Sequence, residues 1–239
     1  MSVHSDLKGL RAAVTGGTSG LGLALVRALT ERGAQVAFVA RTREAVERVG
    51  VETGALGIVG NVGCKTDIHA IALQVTGNLG GLDLLVNNAS SLGSVPLALL
   101  ADTQCEELEE ALATNLVGPF RLTKALFGAL AASARQGRDA AVVNITSDAA
   151  VNAYAGWGAY GASKAALQHL TAIWAEEARE EGVRFLAIDP GDMDTPLHAQ
   201  AVPEADRSAL KRPEEAAADI LRSLGLDQPR LALTAGIRP

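Results

Sequence analysis

Short apolar runs recur along the chain at intervals, each followed by a longer stretch with helical periodicity. The runs are Ala12–Thr15, Gln35–Ala40 (QVAFVA), Ala55–Gly60 (ALGIVG), Leu82–Val86 (LDLLV), Ala140–Ile145 (AAVVNI), Arg184–Ile188 (RFLAI) and Arg230–Thr234 (RLALT). Continuous apolar runs of this length, rich in Val, Ile and Leu, predict strands buried on both faces. Between them the periodicity changes. LALVRALTERG follows Gly22, and Thr66–Leu79 sets Ile68, Ile71, Ala72 and Val75 on one side. A long helical stretch covers Asp102–Ser133, with a break expected near Gly118–Pro119 because proline removes a helical hydrogen bond. Another helix begins at Pro213-Glu214-Glu215, with proline in its first turn and acids near the positive end. Strand and helix alternate from end to end, which predicts an α/β fold: one doubly wound parallel sheet with helices on both faces. No linker, repeat or low-complexity segment divides the chain, so residues 1–239 are expected to form one domain.

Composition narrows the class. The 239 residues are 48% hydrophobic but only 3% aromatic, so the core is built from Ala, Val, Leu and Ile. Lys and Arg number 21 against 27 Asp and Glu, a net charge of −6 with no basic block. That argues against a nucleic acid partner. No apolar run approaches the roughly 18 residues needed to span a membrane, and MSVHSDLKG lacks a signal-peptide pattern. Cys64 and Cys105 stand apart, with no metal-ligand spacing, and the four histidines are scattered. A reduced, cytoplasmic protein without metal is expected.

Three stretches carry chemistry. In the first, Thr15-Gly16-Gly17-Thr18-Ser19-Gly20-Leu21-Gly22 joins a strand to a helix. Glycines permit the turn and a close backbone approach, and the helix start can turn its N–H groups toward a pyrophosphate. In the second, the end of the second strand is Ala40, where the generic dinucleotide fold has an acid for the ribose 2′-hydroxyl. Arg41, Thr42 and Arg43 follow. A guanidinium attracts a 2′-phosphate, so NADP(H) is expected rather than NAD(H), with Arg41 first and Thr42 and Arg43 assisting. In the third, Ser147 closes the Ala140–Ile145 strand, and Tyr160 and Lys164 lie four apart on a helix, hence on one face. An ammonium beside a phenol lowers its pKa from about 10. Such a tyrosine can exchange a proton near neutral pH.

Ser147 followed by Tyr160-x-x-x-Lys164, together with T-G-x-x-x-G-x-G near the N-terminus, resembles the short-chain dehydrogenase/reductase family, a Rossmann-like fold. The resemblance runs from Thr15 to about Leu233 with five motifs in family order. It implies that Tyr160 is the general acid/base, Ser147 holds the substrate carbonyl, and Lys164 tunes the tyrosine and binds the nicotinamide ribose. Asn115, in T-N-L-V-G-P-F, would be the fourth catalytic residue, its backbone carbonyl holding a relay water. Gly16, Thr18, Ser19, Gly20, Leu21 and Gly22 would cradle the pyrophosphate, and Asn61-Val62 would meet the adenine, with Asn61 replacing the usual acid. Asn88, Ala89 and Ser90 would pass the ribose, Ser90 standing where the family usually has glycine. Pro190 and Gly191 would turn over the nicotinamide, the Met193 backbone would pair with its carboxamide, and Thr195 would bind carboxamide or phosphate. Thr195–Arg212 would be the substrate lid.

The resemblance therefore implies an NADP(H)-dependent oxidoreductase that interconverts a small carbonyl compound and an alcohol, assembled as a homotetramer or homodimer. Two alternatives accompany it. Asn-Asn-Ala-Ser-Ser also occurs in pteridine reductases of the family. A non-catalytic dinucleotide-binding redox sensor would tend to lose the tyrosine or the lysine, and both are present.

Overall fold

The computed structural model of the protein describes residues 6–226. Six parallel strands form one sheet: β1 (Arg11–Thr15), β2 (Gln35–Ala40), β3 (Leu56–Val59), β4 (Leu84–Asn87), β5 (Ala140–Ile145) and β6 (Val183–Ile188). Their order across the sheet is β3-β2-β1-β4-β5-β6, so the chain reverses its winding between β1 and β4. In register, Ala12 lies beside Val36 and Leu84, and Val86 beside Val143.

Both faces of the sheet are covered, which is why the strands read as continuous apolar runs. Alternate residues serve opposite layers. Ala12, Val14, Val36, Phe38, Leu84 and Val86 pack with α1 (Gly20–Thr30), α2 (Arg43–Thr53) and α8 (Pro213–Ser223). Ala13, Ala37, Val39, Leu85 and Val142 pack with α3 (Ile68–Leu79) and α5 (Gly118–Arg135). The remaining helices are α4 (Cys105–Leu112), α6 (Gly158–Glu177) and the short α7 (Pro196–Ala201).

Strands β2 and β5 have the expected bounds. Strand β4 starts two residues further on, at Leu84, although the Asp83 main chain still bonds to Arg11 and Ala141 on either side. The break expected near Gly118–Pro119 takes another form. Residues Ala113–Val117 make one wide π turn, in which the Gly118 N–H bonds to the Ala113 carbonyl, and α5 starts directly with Pro119 in its first turn. The wide turn accommodates the proline, whose missing N–H interrupts the hydrogen-bond ladder of a helix that runs on from α4. The strand expected at Arg230–Thr234 lies outside the described residues.

Gly22 shows how tightly the first turn is built. A methyl at this position would overlap the Gly16 carbonyl and approach Asn88 Nδ2 at 2.5 Å. Gly22→Ala is therefore expected to cost about 3 kcal/mol, the upper range of overpacking. Thermal unfolding should show this as a fall of roughly 6–12 °C in Tm.

Candidate active site

A cleft of ≈ 850 Å³ opens beyond the carboxyl ends of β1, β2, β4, β5 and β6. This is where open α/β sheets take their ligands, at the crevice left by reversed winding. Its lining includes Gly16, Thr18, Ser19, Gly20, Leu21, Arg41, Thr42, Asn61, Val62, Asn88, Ala89 and Ser90. On the other side it includes Ser147, Tyr160, Lys164, Pro190, Gly191, Met193 and Thr195. Residues from seven separate stretches of sequence thus face one space.

Three of the expected residues do not line it: Gly22, Asn115 and Arg43. Gly22 lies beneath the loop, where its lack of a side chain lets the helix close on Gly16 and Asn88. Asn115 is fully buried in the wide turn. Its Oδ1 accepts from the Ser90 hydroxyl (3.1 Å) and the Ser91 N–H (2.8 Å), while its Nδ2 donates to the Ser91 carbonyl (2.8 Å) and to Ser163 Oγ (2.9 Å). Asn115 thereby clamps the loop after β4 to α6.

The glycine-rich loop is shaped by its neighbours. Gly16 and Gly20 have φ of 70° and 49°, in the left-handed region that favours glycine. Asn88 donates from Nδ2 to the Thr15 carbonyl (2.8 Å), and Thr15 Oγ1 accepts from the N–H groups of Asn88 and Ala89 (2.9 and 3.0 Å). The ends of β1 and β4 are therefore tied together at the crevice. At the far end of the cleft Arg41 and Thr42 are exposed, whereas Arg43 faces away to Glu47 at 3.9 Å. The Asn61 Oδ1 already accepts from the Gly63 N–H at 3.0 Å, leaving a second lone pair and the Nδ2 group for a ligand. Thr195 caps α7 by accepting from the His198 N–H at 3.2 Å.

Ser147, Tyr160 and Lys164 converge as the one-face helix argument requires. Lys164 Nζ lies 5.4 Å from the centroid of the Tyr160 ring. The pKa effect is the reverse of the expected one. Burial pushes Tyr160 up to about 12, and the hydroxyls of Ser147 and Ser90 pull it only partly back. Burial also pushes Lys164 down to about 8. The ammonium donates to the Ile145 carbonyl at 2.8 Å rather than to the phenol. Sequence spacing conveys proximity, but the desolvation that dominates here depends on what covers the pair.

Several cleft residues carry no signal in the sequence, Asp148 and Tyr154 first among them. Asp148 accepts from the Ser147 hydroxyl on Oδ1 (3.0 Å) and from the Tyr154 hydroxyl on Oδ2 (2.7 Å). The apolar wall is Leu92, Ala149 and Trp157, with Trp157 edge-on to Tyr160 at 5.7 Å between ring centroids. The segment 195–212, expected as a lid, carries α7 and a short turn at Arg207–Ala209. Its two ends are clasped by backbone bonds, the Asp194 N–H to the Lys211 carbonyl (3.0 Å) and the Lys211 N–H to the Asp192 carbonyl (3.1 Å).

The chain belongs to the short chain dehydrogenase family, whose model matches residues 11–206. It is 32% identical over 206 residues to 3-oxoacyl-(acyl-carrier-protein) reductase FabG of Vibrio cholerae, a match covering 85% of this chain and 81% of the relative. Among solved structures, a 3-ketoacyl-(acyl-carrier-protein) reductase from Brucella melitensis complexed with NADH superposes with a TM-score of 0.82 at 25% identity, covering 93% of this chain and 92% of that one. A short chain dehydrogenase from Burkholderia cenocepacia in complex with NADP gives 0.78 at 25% identity, with 92% of each chain covered. Among the described residues no helix is long and apolar enough to cross a membrane, and no group of His, Cys, Asp or Glu is arranged to hold a metal ion.

Proposed function

We propose that this protein is an NADP(H)-dependent oxidoreductase that interconverts a small ketone or aldehyde and the corresponding alcohol. The carrying observation is the convergence of Ser147, Tyr160 and Lys164 in one cleft with the Gly16–Leu21 loop. A bound nicotinamide supplies the hydride in reduction and accepts it in oxidation. In reduction, Tyr160 Oη gives its proton to the carbonyl oxygen as charge develops there. Ser147 Oγ holds that oxygen in line. Lys164 Nζ, anchored on the Ile145 carbonyl, keeps further protons for ribose hydroxyls. Asn115 holds Ser90, Ser91 and α6 in place around the tyrosine. The residues present suit a dinucleotide: a glycine turn that side chains would fill, and a guanidinium at the opposite end of the cleft.

Arg41 supports the choice of NADP(H), since no carboxylate occupies the end of β2 and the guanidinium lies exposed on the cleft. Arg41→Ala should raise the KM for NADPH by about ten- to a hundredfold, the worth of a charge-assisted hydrogen bond, with little change for NADH. A parent enzyme that prefers NADH would reject this assignment. The pteridine-type alternative drew on Ser90 and Ser91, whose hydroxyl protons go to Asn115 and Glu110 and leave only acceptor lone pairs on the cleft; a dihydropteridine that drives no NADPH oxidation would remove it. The same reading carries a cytoplasmic protein, in keeping with its two free cysteines, and a homotetramer or homodimer. Phe120 on α5 and Ile173 on α6 are the exposed apolar side chains for that contact.

A further inference from the structure

Ser147 ends the strand β5 region and caps a single turn of 3-10 helix, Asp148–Ala150. A serine hydroxyl has one proton and two lone pairs. The proton goes to Asp148 Oδ1 at 3.0 Å, and one lone pair takes the Ala149 N–H at 3.2 Å. The hydroxyl is thus held from two sides, and its remaining lone pair faces the Tyr160 hydroxyl. Asp148 is in turn held by a group six residues on, in the loop that leads to α6. The Tyr154 hydroxyl donates to Oδ2 at 2.7 Å. Asp148 and Tyr154 both line the cleft beside Ser147. The Tyr154 bond keeps Asp148 below the usual carboxylate range, so the acceptor stays ionised. Without the carboxylate, the hydroxyl proton would lose the acceptor that sets its direction, and without Tyr154 the exposed carboxylate would be free to turn into solvent.

We infer that Asp148, braced by Tyr154, is the positioning residue for the Ser147 hydroxyl. The inference rests on the role proposed above for Ser147 and extends it. Before substrate arrives, the Ser147–Asp148 bond fixes the hydroxyl torsion. When a carbonyl oxygen enters, the proton moves through a short arc from Asp148 to that oxygen, and Tyr154 continues to hold the carboxylate. Neither Asp148 nor Tyr154 touches the reacting atoms in this scheme. Both act through the serine.

The test is a double-mutant cycle on ketone reduction with NADPH, read by single-turnover kinetics so that slow variants remain measurable. Asp148→Ala should lower the rate by about 10- to 100-fold, the scale of losing a set orientation. Asp148→Asn keeps an acceptor and should return to within about threefold of the parent, and Tyr154→Phe should lose a few-fold. In a Ser147→Ala background, Asp148→Ala should cost less than about twofold more, because coupled residues are not additive. NADPH affinity should be unchanged throughout. An Asp148→Ala loss of the same factor in both backgrounds would overturn the inference, as would a parent-like rate for Asp148→Ala alone. A Ser147→Ala enzyme as fast as the parent would instead remove the role of Ser147 itself, and with it the proposed site chemistry.

Discussion

Tyr160→Phe should lower turnover of ketone and NADPH by about 10²–10⁴-fold, the worth of a positioned general acid. The dissociation constant for NADPH should change little. The ring itself remains, packed against Leu92, Ala149 and Trp157, so the fold has no reason to suffer. What is lost is one proton donor in a space where the neighbouring hydroxyls belong to serines, whose alcohol protons are far less acidic. The buried phenol stands at about 12 in the ligand-free protein, so it is protonated throughout the neutral range. That state gives a proton in reduction and must first lose one in oxidation. Alcohol oxidation should therefore rise with pH through the alkaline range, and ketone reduction should not. A Phe variant that reduced ketones as fast as the parent would place the acid elsewhere.

Asp83→Ala should lower stability by about 3–5 kcal/mol, the usual cost of breaking a buried ion pair from one side. Asp83 is 1% exposed at the opposite end of the sheet from the cleft. Its carboxylate accepts from the Arg11 N–H (2.8 Å), Arg11 Nη2 (2.7 Å), Arg138 Nε (2.7 Å), Arg138 Nη2 (2.6 Å) and the Ser133 hydroxyl. One group thereby joins β1, β4, the end of α5 and the approach to β5. Its removal leaves two guanidinium groups side by side with no counter-charge. Burial alone would push the carboxyl up, but Arg138, Arg11 and Ser133 outweigh it and hold Asp83 well below the usual carboxylate range. A depressed folded-state pKa stabilises above the unfolded value of about 3.9 and is lost as pH falls toward the folded value. Urea melts of parent and variant should thus differ fully at pH 7 and converge in strong acid. A difference under about 1 kcal/mol at pH 7 would show the cluster to be marginal, like a surface pair.

Much of this architecture can be read from the residues in order. The apolar runs QVAFVA and AAVVNI are too continuous for half-exposed strands, and they are indeed covered on both faces. The spacing of Tyr160 and Lys164 on a helix brings them together because helical geometry is local. What could not be read depends on three dimensions. The Tyr160 pKa is governed by what covers the ring, which no spacing expresses. The side chain of Asn115 reaches Ser91 and Ser163 across 24 and 48 residues of chain, a contact that exists only after folding. The Asp148–Tyr154 bond spans an irregular loop with no periodicity to announce it. The wide turn at Ala113–Val117 likewise leaves no signature beyond a proline that suggested a break.

The backbone clasp at the base of segment 195–210 has a consequence for how this oxidoreductase could diversify. Its two bonds run between main-chain atoms of Asp192, Asp194 and Lys211, which any residue except proline can supply. The excursion between them can therefore change in composition, and even in length, while the platform beneath keeps its shape. Selection for a new metabolite could work on that one removable piece and leave the proton chemistry untouched.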